Sequence, residues 1–393
     1  MTAADGVRGY HDLRFESVRE TFGRLFSEGK ELGAAMAVTV SGEMVLDLQG
    51  GFMDKERTKP WHHDTLVNVF SCSKGIASLC MLRLVQEGLL SLDAPVADCW
   101  PEFGQNGKEA VTLRQILTHT SGLSAFHPRI PDEDLFDWSV MVNWIEQESP
   151  WWDPGSCHGY APFTFGWLVG GLFCRATGGE RMGQWLQRNI MAPLGERFLF
   201  GVPDEDHGLI ARITKGQPAR GDNASQLLFQ DLAENPAGIT AQAFSNPMSM
   251  LASVNRPEWR RMELPSANGH GTARALARMY GLLSTGSGRL LDDQLLQEAM
   301  QEQVCGTDVV LKCSSRFGLG FMLSQPDYPL AGFGPSRRTF GHAGAGGSLA
   351  FADPDRQIGF AFVTNRMGPY VMVDPRAEQL VDAVYRQFDN HHL

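Results

Sequence analysis

Strand-like patterns stand near both ends of this 393-residue chain, and helical patterns fill its middle. Ala34–Val40 and Glu43–Leu48 are apolar and β-branched and are joined by Ser41-Gly42, a hairpin signal. Phe317–Leu323, Arg338–Phe340, Ser348–Ala352 and Ile358–Thr364 read as strands with glycine, aspartate and proline turns between them. Residues 14–30 carry Phe15, Val18, Phe22 and Leu25 at helical spacing; residues 375–388 do the same with Ala377, Leu380, Val381, Val384 and Phe388. Strands with an apolar face must bury it, so the two chain ends are expected to meet in one sheet. That places a sheet domain over 1–70 and 300–393, with a mostly helical domain over 71–299 inserted into it: an α+β chain. Within the insertion Thr164–Ala176 and Ala273–Leu283 read as helices, whereas 200–265 shows few clear periods.

A chain of this length, 43% hydrophobic and 20% charged, buries a full core without disulfide or metal staples. Its 45 acidic residues against 34 basic ones argue against nucleic acid or an anionic membrane surface as partner. No basic segment followed by an apolar run opens the chain, so no signal peptide is expected. The mostly apolar run Ala161–Cys174 falls short of the roughly 20 residues that a bilayer-crossing helix needs. Cysteines 72, 80, 99, 157, 174, 305 and 313 form no CxxC pair, which reads as free buried thiols in a reducing cytoplasm.

Ser71 and Lys74 have S-x-x-K spacing where the short extended run Leu66–Phe70 gives way to a long helical pattern. Residues three apart on a first helical turn share a face, so the hydroxyl and the amine are neighbours. A serine needs a base within hydrogen-bond reach. A lysine can be that base if burial and the helix N-terminus disfavour its ammonium form. Backbone N–H groups there also offer an oxyanion donor. The same residues equally suit a helix start with a serine cap and a surface lysine. Tyr160, one of six tyrosines against 23 phenylalanines, sits in an uncharged turn-like segment after Pro154-Gly155. Its hydroxyl is either a working group or the tip of a core aromatic. His342 stands in Gly341-His342-Ala343-Gly344-Ala345-Gly346-Gly347, where glycine lets a ligand or a second backbone approach closely. That run suits a strand edge presenting an N–H to an acyl oxygen, or a tight turn.

Several motifs point elsewhere. Gly346-Gly347-Ser348-Leu349-Ala350 faintly matches a nucleophile elbow, but a strand follows it. His62-His63-Asp64 and His391-His392 have no matching ligand set, so neither metal nor organic cofactor is expected. Cys157-His158 are adjacent and do not converge on one point. Cys72 reads as buried filler.

Taken in order, these pieces resemble the serine β-lactamase and penicillin-binding-protein fold, and most of all its esterase branch, the family VIII carboxylesterases. The carriers are Phe70-Ser71-Cys72-Ser73-Lys74-Gly75, Gly88–Val96, Leu113–Leu123, Pro154-Gly155 with Tyr160, Thr164–Gly170, Asn268-Gly269-His270-Gly271 and Gly341–Gly347. The resemblance implies an antiparallel sheet with the active site at the junction with the helical region. It implies Ser71 as the acylated nucleophile, with Lys74 and Tyr160 sharing the proton work. The N–H groups of Ser71 and Ala345 would form the oxyanion hole, and His342 and Gly344 would lie against substrate. Trp151, Trp152, Phe126, Phe163 and Trp138 flank these motifs. They are either pocket residues, Trp152 and Phe126 foremost, or core aromatics.

Two departures bear on substrate. The lactamase pattern Tyr-x-Asn ends here in Pro162, which has no side-chain amide. The lactamase pattern Lys-Ser/Thr-Gly is here His342-Ala343-Gly344, which removes a permanent positive charge suited to a substrate carboxylate. Both changes suit an uncharged small-molecule ester, and the expectation is a carboxylesterase working through an acyl-enzyme. The alternatives are a β-lactamase or D-amino peptidase, an acyltransferase on the same site, and an inactive scaffold that keeps only the fold.

Overall fold

The structure is a computed structural model that describes residues 6–216, 225–328 and 331–391, without the side chains of 390 and 391. The first residues of the chain and the His391-His392 pair therefore fall outside the described side chains. A nine-stranded antiparallel sheet organises the molecule. Its order is Arg8–His11, Glu43–Gly51, Gly33–Val40, Ile358–Thr364, Leu349–Asp353, Phe340–Ala343, Met322–Leu323, Ser314–Phe317, Val304–Thr307. The two chain ends join at its centre, where Val40 pairs with Ile358 and Ala34 with Thr364. The hairpin turn is as expected: Ser41 and Gly42 both have positive φ, 50° and 84°, which a tight two-residue turn demands.

The central strands alternate by size. Met36 and Val38 with Phe360 and Phe362 pack against the helices Glu16–Ser27 and Pro375–His391. Ala35 and Ala37 with Ala361 and Val363 point the other way, toward the helix Ala273–Ser284. That helix comes very close: a Cβ on Gly359 would collide with the backbone of Gly281 and Ala277. Ala273–Ser284, read from sequence as part of the insertion, is thus packed on the sheet. The helix Cys72–Gln86 is buried on nearly every side. It lies between the strand Phe340–Ala343 and the helix Thr164–Ala176.

Two strand assignments shift. The run 317–323 divides into Ser314–Phe317 and Met322–Leu323, because the chain bends through Gly318 and Gly320, the latter at φ 76°. The run at 338–340 becomes Phe340–Ala343, which puts His342 inside a strand opposite Ala350 and not in a turn. A small second sheet, Val67–Asn68, His270–Gly271 and Phe198–Leu199, draws residues 266–271 against the start of the Cys72–Gln86 helix. Within 200–265 short helices occupy Gln226–Glu234, Ile239–Ser245 and Pro257–Arg261. All seven cysteines are free thiols. Among the described residues no helix is long and apolar enough to cross a membrane.

Candidate active site

Phe70 stands at φ 47°, a conformation that an aromatic L-residue adopts only under tertiary constraint. This turn swings Ser71 onto the N-cap of the Cys72–Gln86 helix. The Ser71 side chain makes no capping hydrogen bond, which removes the plain helix-cap reading. Its hydroxyl instead lies 3.4 Å from Lys74 Nζ and faces the Tyr160 phenol, whose ionisation it favours. Ser71 is part-exposed, whereas Lys74 and Tyr160 are buried.

Lys74 has no exposed surface, and its Nζ donates to the carbonyls of Pro162 (2.8 Å) and Ser266 (3.0 Å). Burial holds its ammonium form well below the ordinary lysine range. A neutral amine has two N–H bonds and one lone pair. With both donors directed at carbonyls, the lone pair is left for the Ser71 hydroxyl. Pro162, which lacks a side-chain amide, thus contributes through its main chain. The sequence segment around Asn268 also acquires a part: Ser266 supplies that carbonyl, and the Gly269 N–H donates to Ser73 Oγ (2.9 Å).

Tyr160 is positioned by residues that the motif search missed. Its N–H donates to both oxygens of buried Asp308, each at 3.0 Å. The same carboxylate accepts from the N–H groups of Val310 and Leu311 and from Ser315 Oγ. His119, at φ 60°, brackets the same extended segment: its carbonyl accepts from the Gly159 N–H and its Nδ1 from the Ala161 N–H. The His119 ring also packs 5.0 Å from that of Tyr160. His119 belongs to a quoted sequence block, but only the positive φ and these contacts reveal what it does. Burial pushes the Tyr160 phenol up, against the opposing pull of Ser71, so the resting group is a neutral phenol.

On the strand Phe340–Ala343 His342 is buried, its ring 5.9 Å from that of Tyr160. Burial, with Lys74 close by, pushes it down to about 3, so the imidazole is neutral. Nδ1–H donates to the Ala343 carbonyl (2.6 Å), which leaves Nε2 as a bare, buried acceptor without a partner among the described residues. Cys72 is the filler expected: its thiol donates to the His342 carbonyl (3.1 Å) and burial pushes its titration up. Gly344 passes so close to the Val69 carbonyl that a Cβ would collide with it. Its N–H is taken by Ser348 (2.7 Å), and that of Gly346 by Tyr370 (3.1 Å). Between them the Ala345 N–H finds no backbone acceptor among the described residues, and the same holds for Ser71.

The flanking aromatics divide. Trp152 is part-exposed and lies over Gly159, where a Cβ would meet its ring at 2.6 Å. Phe126 is fully buried against Trp167, ring centroids 6.0 Å apart, and packs as a core aromatic. His158 is occupied by Ser315 Oγ (2.9 Å), apart from the Cys157 thiol. Among the described residues no three His, Cys, Asp or Glu side chains gather as a metal-holding group.

The β-lactamase family model matches residues 18–385, nearly the whole chain. The chain belongs to the β-lactamase family. It is 33% identical over 375 residues to the esterase/beta-lactamase LipL of Mycobacterium tuberculosis, covering 94% of this chain and 85% of that one. Among solved structures it is similar to a penicillin-binding protein homolog from Caulobacter crescentus, at 40% identity and a TM-score of 0.86. That match covers 97% of this chain and 99% of the other. It is also similar to a family VIII carboxylesterase, at 32% identity and a TM-score of 0.84, with the same coverage. The esterase relatives of this family member support ester hydrolysis by a serine hydrolase in general terms.

Proposed function

We propose that the protein hydrolyses uncharged carboxylic esters through an acyl-enzyme on Ser71. The observation that carries this reading is Lys74: a fully buried amine, its donors spent on two carbonyls, facing a serine hydroxyl that caps nothing. Ser71 Oγ attacks the ester carbonyl carbon while its proton passes to Lys74 Nζ. The oxyanion is received by the N–H groups of Ser71 and Ala345. Collapse breaks the ester C–O bond, and the proton returns from Lys74 through the Tyr160 hydroxyl to the leaving alkoxide. Water then attacks the acyl carbon, gives its proton to the same pair, and Ser71 leaves with that proton restored. Neutral His342 offers no fixed charge for a substrate carboxylate, and Pro162 offers no side-chain amide for a β-lactam's acylamino group; both favour a neutral ester.

A second reading, turnover of β-lactams or D-amino peptides on the same site, draws on the names of two relatives. Parallel kinetics with p-nitrophenyl butyrate and nitrocefin, on wild type and Ser71→Ala, separate the two. Ester turnover that far exceeds nitrocefin turnover and vanishes in Ser71→Ala is the expected result. Comparable nitrocefin turnover would move the assignment to lactams. Activity that survives Ser71→Ala would remove the acyl-enzyme altogether.

A further inference from the structure

The loop that carries Ala345 is gripped from behind by a buried charged cluster. Arg376, in the first turn of Pro375–His391, donates through Nη2 to the Gly346 carbonyl (2.7 Å) and through Nη1 to the Arg366 carbonyl (3.0 Å). Its Nε and Nη2 also reach the two oxygens of Asp374, at 2.9 Å each, and Nη1 reaches Glu31 Oε1 at 2.6 Å. All five guanidinium N–H donors are thereby used. Glu31 is itself fixed, its second oxygen accepting from Thr364 Oγ1 (2.7 Å). The side chains of Glu31, Asp374 and Arg376 are 0%, 2% and 10% exposed.

Such a cluster is expensive to bury and adds little stability over a well-packed apolar one. Its place in the fold gives it another use. Gly346 is held at both ends, its N–H by Tyr370 and its carbonyl by Arg376 and by the Gly368 N–H (2.7 Å). Gly344 is held by Ser348. Ala345 is therefore clamped between two fixed residues. Gly347, at φ 130°, leaves the guanidinium room that a Cβ would take.

We infer that Arg376, held by Glu31 and Asp374, is a positioning residue for the oxyanion hole, fixing the Ala345 N–H through the Gly346 carbonyl. This rests on the acyl-enzyme reading above. The test is Arg376→Lys, which keeps a charge but cannot reproduce the five-donor fork. A misplaced oxyanion donor acts on the transition state, so kcat for p-nitrophenyl butyrate is expected to fall about 10- to 100-fold with KM within about twofold. Inhibition by n-butylboronic acid, which forms a tetrahedral adduct on serine, should weaken by a matching factor. A merely structural role would lower the thermal midpoint and leave both quantities per folded molecule unchanged. If Arg376→Lys does not fold, Glu31→Gln, of the same shape, should show a smaller paired loss of kcat and boronate affinity. A folded Arg376→Lys with wild-type kcat and boronate affinity, or in its place a Glu31→Gln with both, overturns the inference. Ser71→Ala, assayed alongside, keeps the two failures apart. Its activity would sink the acyl-enzyme reading, while its silence beside an unimpaired Arg376→Lys would sink the positioning role alone.

Discussion

On one side of Ser71 a buried amine, Lys74, answers to backbone carbonyls; on the other, behind the Gly344–Gly347 loop, a buried guanidinium, Arg376, answers to carboxylates. Lys74 meets the carbonyls of Pro162 and Ser266, and no carboxylate hydrogen-bonds to it among the described residues. Arg376 meets two carboxylates. The difference follows from what each group must do. A base must lose its proton near neutral pH, and a neighbouring carboxylate would hold that proton on. Carbonyls orient the amine without doing so. A guanidinium does not lose its proton, so Arg376 keeps its hold on the loop even though burial pushes its partner Glu31 up to about 7. The charged cluster contacts the loop through Gly346 and hydrogen-bonds to none of Ser71, Lys74 and Tyr160.

The comparison breaks most readily at Lys74. Lys74→Arg keeps a cation that cannot deprotonate, and kcat/KM for ester should fall about 10²- to 10⁴-fold, the span of lost general base catalysis. In wild type the neutral amine is the working form and burial lowers its pKa. Activity should therefore rise with pH through an ionisation below the usual lysine range of about 10.4 and then level off. A limb at the unperturbed lysine value would show that burial does not tune this group. Tyr160→Phe removes the hydroxyl that joins Ser71 to the leaving group, and a loss of about 10²-fold in kcat is expected. It should be smaller with p-nitrophenyl esters, whose leaving group needs little protonation, than with alkyl esters. Equal losses would take Tyr160 out of the proton path.

The trio of Ser71, Lys74 and Tyr160, proposed as catalytic, was legible as a candidate because S-x-x-K is local and Tyr160 follows a recognisable Pro-Gly turn. The residues that hold the trio were not. Asp308 lies 148 positions from Tyr160, and Arg376 lies 30 from Gly346, so only the finished sheet brings each pair together. The central strands were readable because Ala34–Val40 and Ile358–Thr364 are paired throughout and buried at every position but Val40. The edge strand Arg8–His11 escaped because it is mostly exposed and lacks an apolar face. Phe126 was offered as a pocket residue because sequence shows proximity to a motif but not the direction of a side chain.

Asp308→Asn sharpens the positioning side of the comparison. The substituted amide keeps one acceptor oxygen for Val310 and Leu311 but puts its NH2 where the Tyr160 N–H and Ser315 Oγ donate to the second oxygen. A stability loss of about 1–3 kcal/mol by thermal or urea unfolding is expected. A smaller fall in kcat should accompany it, and unchanged stability would mean that the Tyr160 segment is held elsewhere. The smallest effect belongs to His342. Because it titrates at about 3, it should contribute no step to the pH profile between 5 and 8. His342→Gln, which retains an acceptor, should shift KM by no more than about tenfold and leave the profile unchanged. A neutral-range limb lost in that variant would assign His342 a proton-carrying part.

The central claim is that Ser71 is acylated with neutral Lys74 as its base. It is met most directly by peptide-level mass spectrometry after brief exposure to p-nitrophenyl butyrate. The account expects one butyryl group on the peptide containing Ser71, forming faster as pH rises through the Lys74 ionisation, and no adduct in Ser71→Ala. A butyryl group on any other residue, or an adduct rate indifferent to that ionisation, would contradict it.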